Sequence, residues 1–252
     1  MFKNLLLLAI TTLLFVGCSS EKEIEISSQS FTEKELEICQ DEACPEVTIN
    51  YVKINGDSEV SKTINHKIKN FIITSLLMGE ETKPTAQDIR SAVKGFVEVY
   101  FSDKNQFPNM AGEYFAEITI NEIYVSENII SFEMSQYLYT GGAHGYGRTT
   151  FLNVNPKTGD TYTFSELFQN KEEFISVAEK KFREQQNISE NQGINDTKFW
   201  FKDDAFHLPE SVGFTQDSLI FIYNQYEIAS YADGPIELKI ARKEATPYLT
   251  IQ

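Results

Sequence analysis

The chain has 252 residues, 41% of them hydrophobic and 13% aromatic, a composition that folds rather than staying disordered. Its 37 acidic and 22 basic residues give a formal charge of −15. Such a field argues against nucleic acid as a partner and favours cationic ones, although solubility is the plain reading of the same charge.

The first element is "MFKNLLLLAITTLLFVGCSS". Lys3 precedes an apolar stretch from Leu5 to Val16, too short to cross a bilayer comfortably and closed by a small residue and a cysteine. Residues 1–17 therefore read as a secretory signal. "FVGC" also resembles the bacterial lipobox, in which the peptide is cut before the cysteine and that residue, here Cys18, carries lipid such as palmitate. An ordinary signal with an incidental cysteine is the alternative. Acyl chains at about 0.8 kcal/mol per buried methylene would hold the mature chain on a bacterial membrane, facing periplasm or exterior. Residues 18–38 are rich in serine and charge and read as a flexible tether. Cys39 and Cys44, in "EICQDEACPEV", read as a small disulfide loop in an oxidising compartment. Zinc is the weaker reading, because no nearby histidine completes a four-ligand set.

Val47 to Ile54 alternates apolar and polar residues, the pattern of a half-buried strand, and Gly56-Asp57 breaks it. From Ser58 to Met78 the period lengthens: Val60, Ile64, Ile68, Phe71 and Ile72 make one helical stripe, with Asp57 or Ser58 as cap. A second helix follows Pro84, with Thr85 as its candidate cap and Ile89, Ala92, Val93, Phe96, Val97 and Tyr100 on its buried face. "EYFAEITINEIYV" and "NIISFEMSQYLY" form a β-hairpin around Ser126–Asn128. After a glycine-rich stretch come "TTFLNV", the turn "NPKTGD" and a strand "TYTF". A helical region opens at Ser165 and continues from Lys171 to Gln186. "GFTQDSLIFIYNQYEI" and "GPIELKIA" return to strand. Segregated blocks of this kind predict an α+β fold, an antiparallel β-sheet with helices packed on one side. A boundary near Thr163 divides residues 39–163 from 164–252, the two halves sharing one sheet or packing tightly together.

The stretch "YTGGAHGYGR", residues 139–148, draws attention as a site. It lacks the GK[ST] of a phosphate loop and the third glycine of the dinucleotide pattern, and no GxSxG elbow occurs in the chain. His66, His144 and His207 lie far apart with no HExxH, so no metal and no cofactor are expected. Two readings carry most weight. One is a strand corner in which glycines supply unusual backbone angles and His144 bonds a carbonyl. The other is a recognition surface in which Tyr139, His144, Tyr146 and Arg148, shaped by Gly141 and Gly142, face a ligand, since tyrosine and arginine carry much of the binding energy at interfaces. Catalysis by a lone histidine is a third.

"YTGGAHGYGRTTFLNVNPKTGDTYTFSELF" followed by "GFTQDSLIFIYNQYEIASYADGPIELKI", behind a lipoprotein signal, resembles bacterial envelope proteins with paired PdaC-type and RsiV-type domains of unknown function. In the second segment Gln225 stands where the family has proline, before Tyr226, and Tyr231 follows in the expected order. The resemblance implies a PdaC-type domain over 39–163 and an RsiV-type domain over 164–252, with Tyr226 and Tyr231 added to the candidate binding residues. It further implies a non-catalytic envelope module, since the RsiV-type domain of an anti-sigma factor is an extracellular sensor that binds lysozyme. A cationic protein such as lysozyme, or peptidoglycan, is the expected partner besides the membrane. A wall-polysaccharide-modifying enzyme is the alternative.

Overall fold

The computed structural model describes residues 24–78, 83–109 and 112–251. The signal segment and Cys18 lie outside the described residues. Strand β1 (Ile26–Thr32) pairs antiparallel with β2 (Glu46–Ile54), from Ile26↔Ile54 to Thr32↔Thr48. This corrects the tether expected over residues 18–38, because from Ile26 onward that segment belongs to the sheet. An edge strand with one open side has few apolar positions to display, so "SSQS" reads as linker while Phe31 is buried. The segment is held by charge as well. The Glu33 carboxylate accepts a bond from the Val47 N–H at 2.9 Å, and Arg90 lies 5.1 Å over the Phe31 ring while donating to the Glu35 carbonyl. The short helix α1 (Ile38–Asp41) carries Cys39, which is disulfide-bonded to Cys44 with the Cα atoms 5.4 Å apart.

Helix α2 (Glu59–Ser75) starts at Ser58, whose Oγ accepts from the Ser61 N–H at 3.0 Å. Helix α3 (Ile89–Gln106) starts at Asp88 rather than Thr85. There the Asp88 carboxylate accepts from the Ser91 N–H at 2.7 Å and the Ser91 hydroxyl closes the reciprocal box. These bonds hold the Asp88 carboxyl below its usual range. The two helices carry the chain back across the sheet, so β2 runs parallel to β3 (Phe115–Val125), the one departure from the antiparallel expectation. β4 (Ile130–Tyr139) and β5 (Tyr146–Val154) complete a sheet of order β1-β2-β3-β4-β5. One face buries Ile118, Ile120, Phe132 and Met134 against Ile64, Ile68, Val93 and Phe96 of the two helices.

The second half is a separate unit, built from α4 (Phe164–Leu167), α5 (Lys171–Gln186), β6 (Gly213–Phe214), β7 (Ser218–Tyr223), β8 (Ile236–Ala241) and α6 (Arg242–Ala245). It forms its own three-stranded sheet, β6-β7-β8, so the two halves do not share one sheet. The strand expected at "TYTF" is a single bridge, Val154↔Thr161, and "NQYEI" leaves β7 as a loop. Phe174, Phe182, Phe201, Phe214, Phe221 and Tyr223 fill this second core. Among the described residues no helix is long and apolar enough to cross a membrane.

The second unit packs on the face of β4 and β5 that α2 and α3 leave open. Ser131 Oγ accepts from the Phe214 N–H at 3.0 Å, and Asn153 Nδ2 donates to the Val212 carbonyl at 2.7 Å, both buried. Gly213 lets the backbone meet the Phe151 ring, where a Cβ would sit 2.4 Å from a ring carbon. The same contact brings Glu133 of β4 near Glu237 of β8. Burial, then the Glu237 charge, hold the Glu133 carboxyl above its usual range. A carboxyl raised in the folded state weakens folding progressively as pH rises from the ordinary carboxylate range to its raised folded value and fully above it, and has no effect below the ordinary range, where it is protonated in both states. Glu133→Gln is therefore expected to stabilise the fold at neutral pH by about 0.5 kcal/mol, or ~1–2 °C in Tm. Thermal melts from pH 7 to pH 3.5 should show that advantage vanish as the solution is acidified.

Candidate functional site

The outer edge of β5 positions the site. Its backbone groups at residues 149, 151 and 153 point away from β4, and residues later in the chain meet them. Asn224 does so twice: its Oδ1 accepts from the Thr149 N–H at 2.7 Å, and its Nδ2 donates to the Thr149 carbonyl at 3.0 Å. Ser211 Oγ accepts from the Phe151 N–H at 3.2 Å, and the Asn153 carbonyl accepts from the Tyr162 N–H at 2.9 Å. The loop that follows β7 is thereby fastened beside the glycine-rich stretch that precedes β5.

That fastening brings three of the expected residues together. The His144 ring stacks on Tyr231 with centroids 3.8 Å apart and planes 19° from parallel. His144 Nδ1 is 3.0 Å from the Gly145 carbonyl, which can only accept, so Nδ1 carries the proton. On the other side of the ring, the Tyr226 hydroxyl lies 3.3 Å from Nε2. Tyr231 is in turn bonded to Tyr137, and burial followed by that bond pushes its hydroxyl pKa up. A chain of contacts Tyr137–Tyr231–His144–Tyr226 thus crosses from β4 to the second unit. The structure presents His144 at the surface, against tyrosines and not against an acid.

Tyr226 adopts φ = 68°, in the left-handed region that a bulky aromatic residue rarely enters. The turn around it is over-determined. The Asn224 N–H donates to Glu227 Oε2 at 2.9 Å, the Glu227 N–H to the Asn224 carbonyl at 3.0 Å, and the Tyr226 N–H to the Ala229 carbonyl at 3.1 Å. Behind it Ile228 and Ala229 are buried. The outcome is a side chain 55% exposed, beside Tyr146 at 52%.

Tyr146, Arg148 and Tyr226 line a cleft of about 630 Å³, together with Thr149, Glu210, Ser211, Asn224, Gln225 and Glu227. That volume is in the range of small-ligand sites. A second cleft, of about 290 Å³, lies along α5 at Glu179 and Arg183 and holds none of the expected residues. Among the described residues no group of three or more His, Cys, Asp or Glu side chains is arranged to hold a metal ion.

The remaining expected residues do other work. Tyr139 lies against Gly112 and donates to the Gly142 carbonyl at 3.1 Å, so it braces the turn. Gly141 and Gly142, at φ = 93° and 92°, make that turn and have open space around them. Asn224, Gln225, Glu210 and Tyr137 were not expected. Asn224 and Gln225 stand in the quoted "YNQYE", but their partners on β5 are 75 residues away, where no local pattern reveals them.

Residues 38–146 match the family model described as "Deacetylase PdaC", and residues 164–243 match that of a "Protein of unknown function (DUF3298)". No curated protein matches the chain. Among solved structures, a DUF3298 family member from Bacteroides fragilis superposes with a TM-score of 0.68 at 21% identity, covering 90% of this chain and 93% of that one. A DUF3298 family protein from Pseudomonas aeruginosa PAO1 gives 0.64 at 18%, covering 90% and 94%. At those identities the likeness is one of fold.

Gly145 carries the geometry of the corner. A Cβ there would sit 2.5 Å from the Tyr137 ring and 2.7 Å from the Leu138 carbonyl oxygen, and the backbone atom has nowhere to go. Gly145→Ala is expected to cost about 1–3 kcal/mol. It should also move the His144 ring proton resonances, which the stacked Tyr231 shifts upfield in the wild type. Urea unfolding and a proton NMR spectrum check both effects, and Gly141→Ala, with open space, serves as the milder comparison.

Proposed function

We propose that the protein is an envelope-associated, non-catalytic binding module, lipid-anchored through Cys18, whose cleft recognises a cell-wall glycan. The observation that carries this reading is Tyr226. It is held at a strained backbone angle, more than half exposed, and oriented by His144 at the mouth of the cleft. Backbone strain at a position that adds little to the core is a mark of function. An exposed aromatic platform beside amide and hydroxyl groups suits a sugar, whose faces are apolar and whose rim is hydroxylated. The matched descriptions, one of a deacetylase and one of a protein of unknown function, support an envelope-associated module and leave its ligand to the cleft.

A second reading rests on charge. At −15, the protein would attract a cationic protein such as lysozyme by long-range steering. The two separate by salt: stacking on a sugar tolerates 0.5 M NaCl, whereas steering over a Debye length of about 10 Å at 0.1 M is lost.

Tyr226→Gly should change stability by less than about 1 kcal/mol, because relief of strain offsets the lost ring contacts. The same change should weaken binding to purified peptidoglycan at least tenfold in a sedimentation assay. Unchanged binding would remove the platform from the reading. For the anchor, Cys18→Ala should shift the protein from the membrane fraction to the soluble fraction on ultracentrifugation, and unaltered partitioning would sink the lipid attachment.

A further inference from the structure

The chain has four arginines. Three are engaged within the fold. Arg90 reaches the Glu35 carbonyl and the Phe31 ring. Arg183 pairs with Glu179 at 2.8 Å. Arg242 bonds the Thr215 carbonyl at 3.0 Å and lies 4.3 Å over the Tyr124 ring. The fourth, Arg148, makes no hydrogen bond, ion pair or ring contact through its side chain with any described residue, although 37 acids surround it in the chain. It is exposed on the wall of the cleft that Tyr146 and Tyr226 also line.

Its place is fixed. The residue after it, Thr149, is clamped on both backbone groups by Asn224, and the residue before it, Gly147, lies against the Tyr137 ring and the Gln225 amide. Two acids line the same cleft, and among the described residues neither pairs with it: Glu227 accepts from the Asn224 N–H at 2.9 Å, and Glu210 forms no ion pair with a described residue. A guanidinium that is held in register, faces a cleft and lacks a partner is suited to a planar oxyanion delivered by a ligand, through two parallel N–H···O bonds.

We propose that the cleft is specific for a sugar carrying a carboxylate. Arg148 holds the carboxylate, Tyr226 and Tyr146 take the ring face, and Glu210, which also lines the cleft, disfavours ligands that are too highly charged. This rests on the glycan-binding reading and names the chemistry of its ligand. The overall negative charge opposes an anionic ligand, so selectivity has to come from this one fixed guanidinium rather than from the general field.

The test uses peptide-free wall glycan strands in two forms, native and with their carboxylates converted to neutral amides. Binding is followed by calorimetry to the intact protein. The wild type should bind the native strands at least tenfold more tightly than the amidated ones. Arg148→Gln should bring the two within about twofold of each other while leaving the thermal midpoint unchanged. Glu210→Gln should tighten binding of the native form. If wild type and Arg148→Gln bind both forms equally, the carboxylate assignment is overturned and glycan binding stands. If neither form binds, the glycan reading fails and this assignment falls with it.

Discussion

An exposed strand edge is a row of backbone donors and acceptors that water, another strand or a side chain must meet. In this protein the outer edge of β5 is met by side chains and by one loop N–H, and the rest of the molecule is arranged around that fact. A primary amide carries a donor and an acceptor at the spacing of a peptide group, so Asn224 acts as a one-residue strand against Thr149. At roughly 1 kcal/mol net for each hydrogen bond, the Asn224, Ser211 and Asn153 contacts together supply a few kcal/mol. More important than their sum is their direction. Hydrogen bonds fix register, whereas apolar contact at the seam, such as Phe151 over Gly213, tolerates sliding. The second unit is therefore locked along the β5 axis, and the turn at 224–229 is delivered opposite the glycine-rich corner.

What that delivery accomplishes is seen in the strain it sustains. Tyr226 at φ = 68° costs on the order of 1–3 kcal/mol, and a glycine would relieve it. The side chain gives little back to the core, since more than half of it is exposed. The turn keeps its shape because Asn224 and Glu227 bond each other's backbone and because Ile228 and Ala229 are buried behind it. The corner on the other side is equally constrained, with Gly145 pressed between Tyr137 and the Leu138 carbonyl. Two rigid supports hold His144 in a cluster with Tyr231 and Tyr226, whose rings also meet each other at 5.7 Å between centroids. Nδ1 faces the Gly145 carbonyl and Nε2 faces the Tyr226 hydroxyl.

Much of this was legible in the residues, and the failures are instructive. The 3.6-residue period of Phe174, Ala178 and Phe182 located α5 to its ends, because one face alone is buried. The two-residue alternation located β2, β3 and β4 for the same reason. β1 escaped because an edge strand shows few buried side chains, and its seven pairings with β2 are made by backbone that carries no sequence signal. Thr85, next to Pro84, is the cap the sequence suggests, whereas the structure uses Asp88; both are good N-cap types, and the Ser91 reciprocal bond singles out Asp88. Residue type singled out His144, Tyr146 and Arg148 as candidates, and the family resemblance added Tyr226 and Tyr231. It could not say that Tyr139 braces a turn through the Gly142 carbonyl instead, nor that Asn224 is the clamp. Those roles depend on contacts across 75 residues of chain or on which side of a turn a ring falls.

The cleft belongs to neither half of the chain. Tyr146 and Arg148 come from β5, and Glu210, Asn224 and Tyr226 come from the loops of the second unit, so either half alone would present only one wall. The same two-unit fold recurs in bacterial structures that share about a fifth of its residues over some nine-tenths of their length. A seam can persist through that much change if backbone groups make it, since N–H and C=O are present whatever the side chain. Side chains at the mouth are then free to vary without loosening the joint. Docking and recognition are in this way separated. The β5 edge sets where the walls stand, and a handful of exposed residues such as Tyr226 and Arg148 set what fits between them.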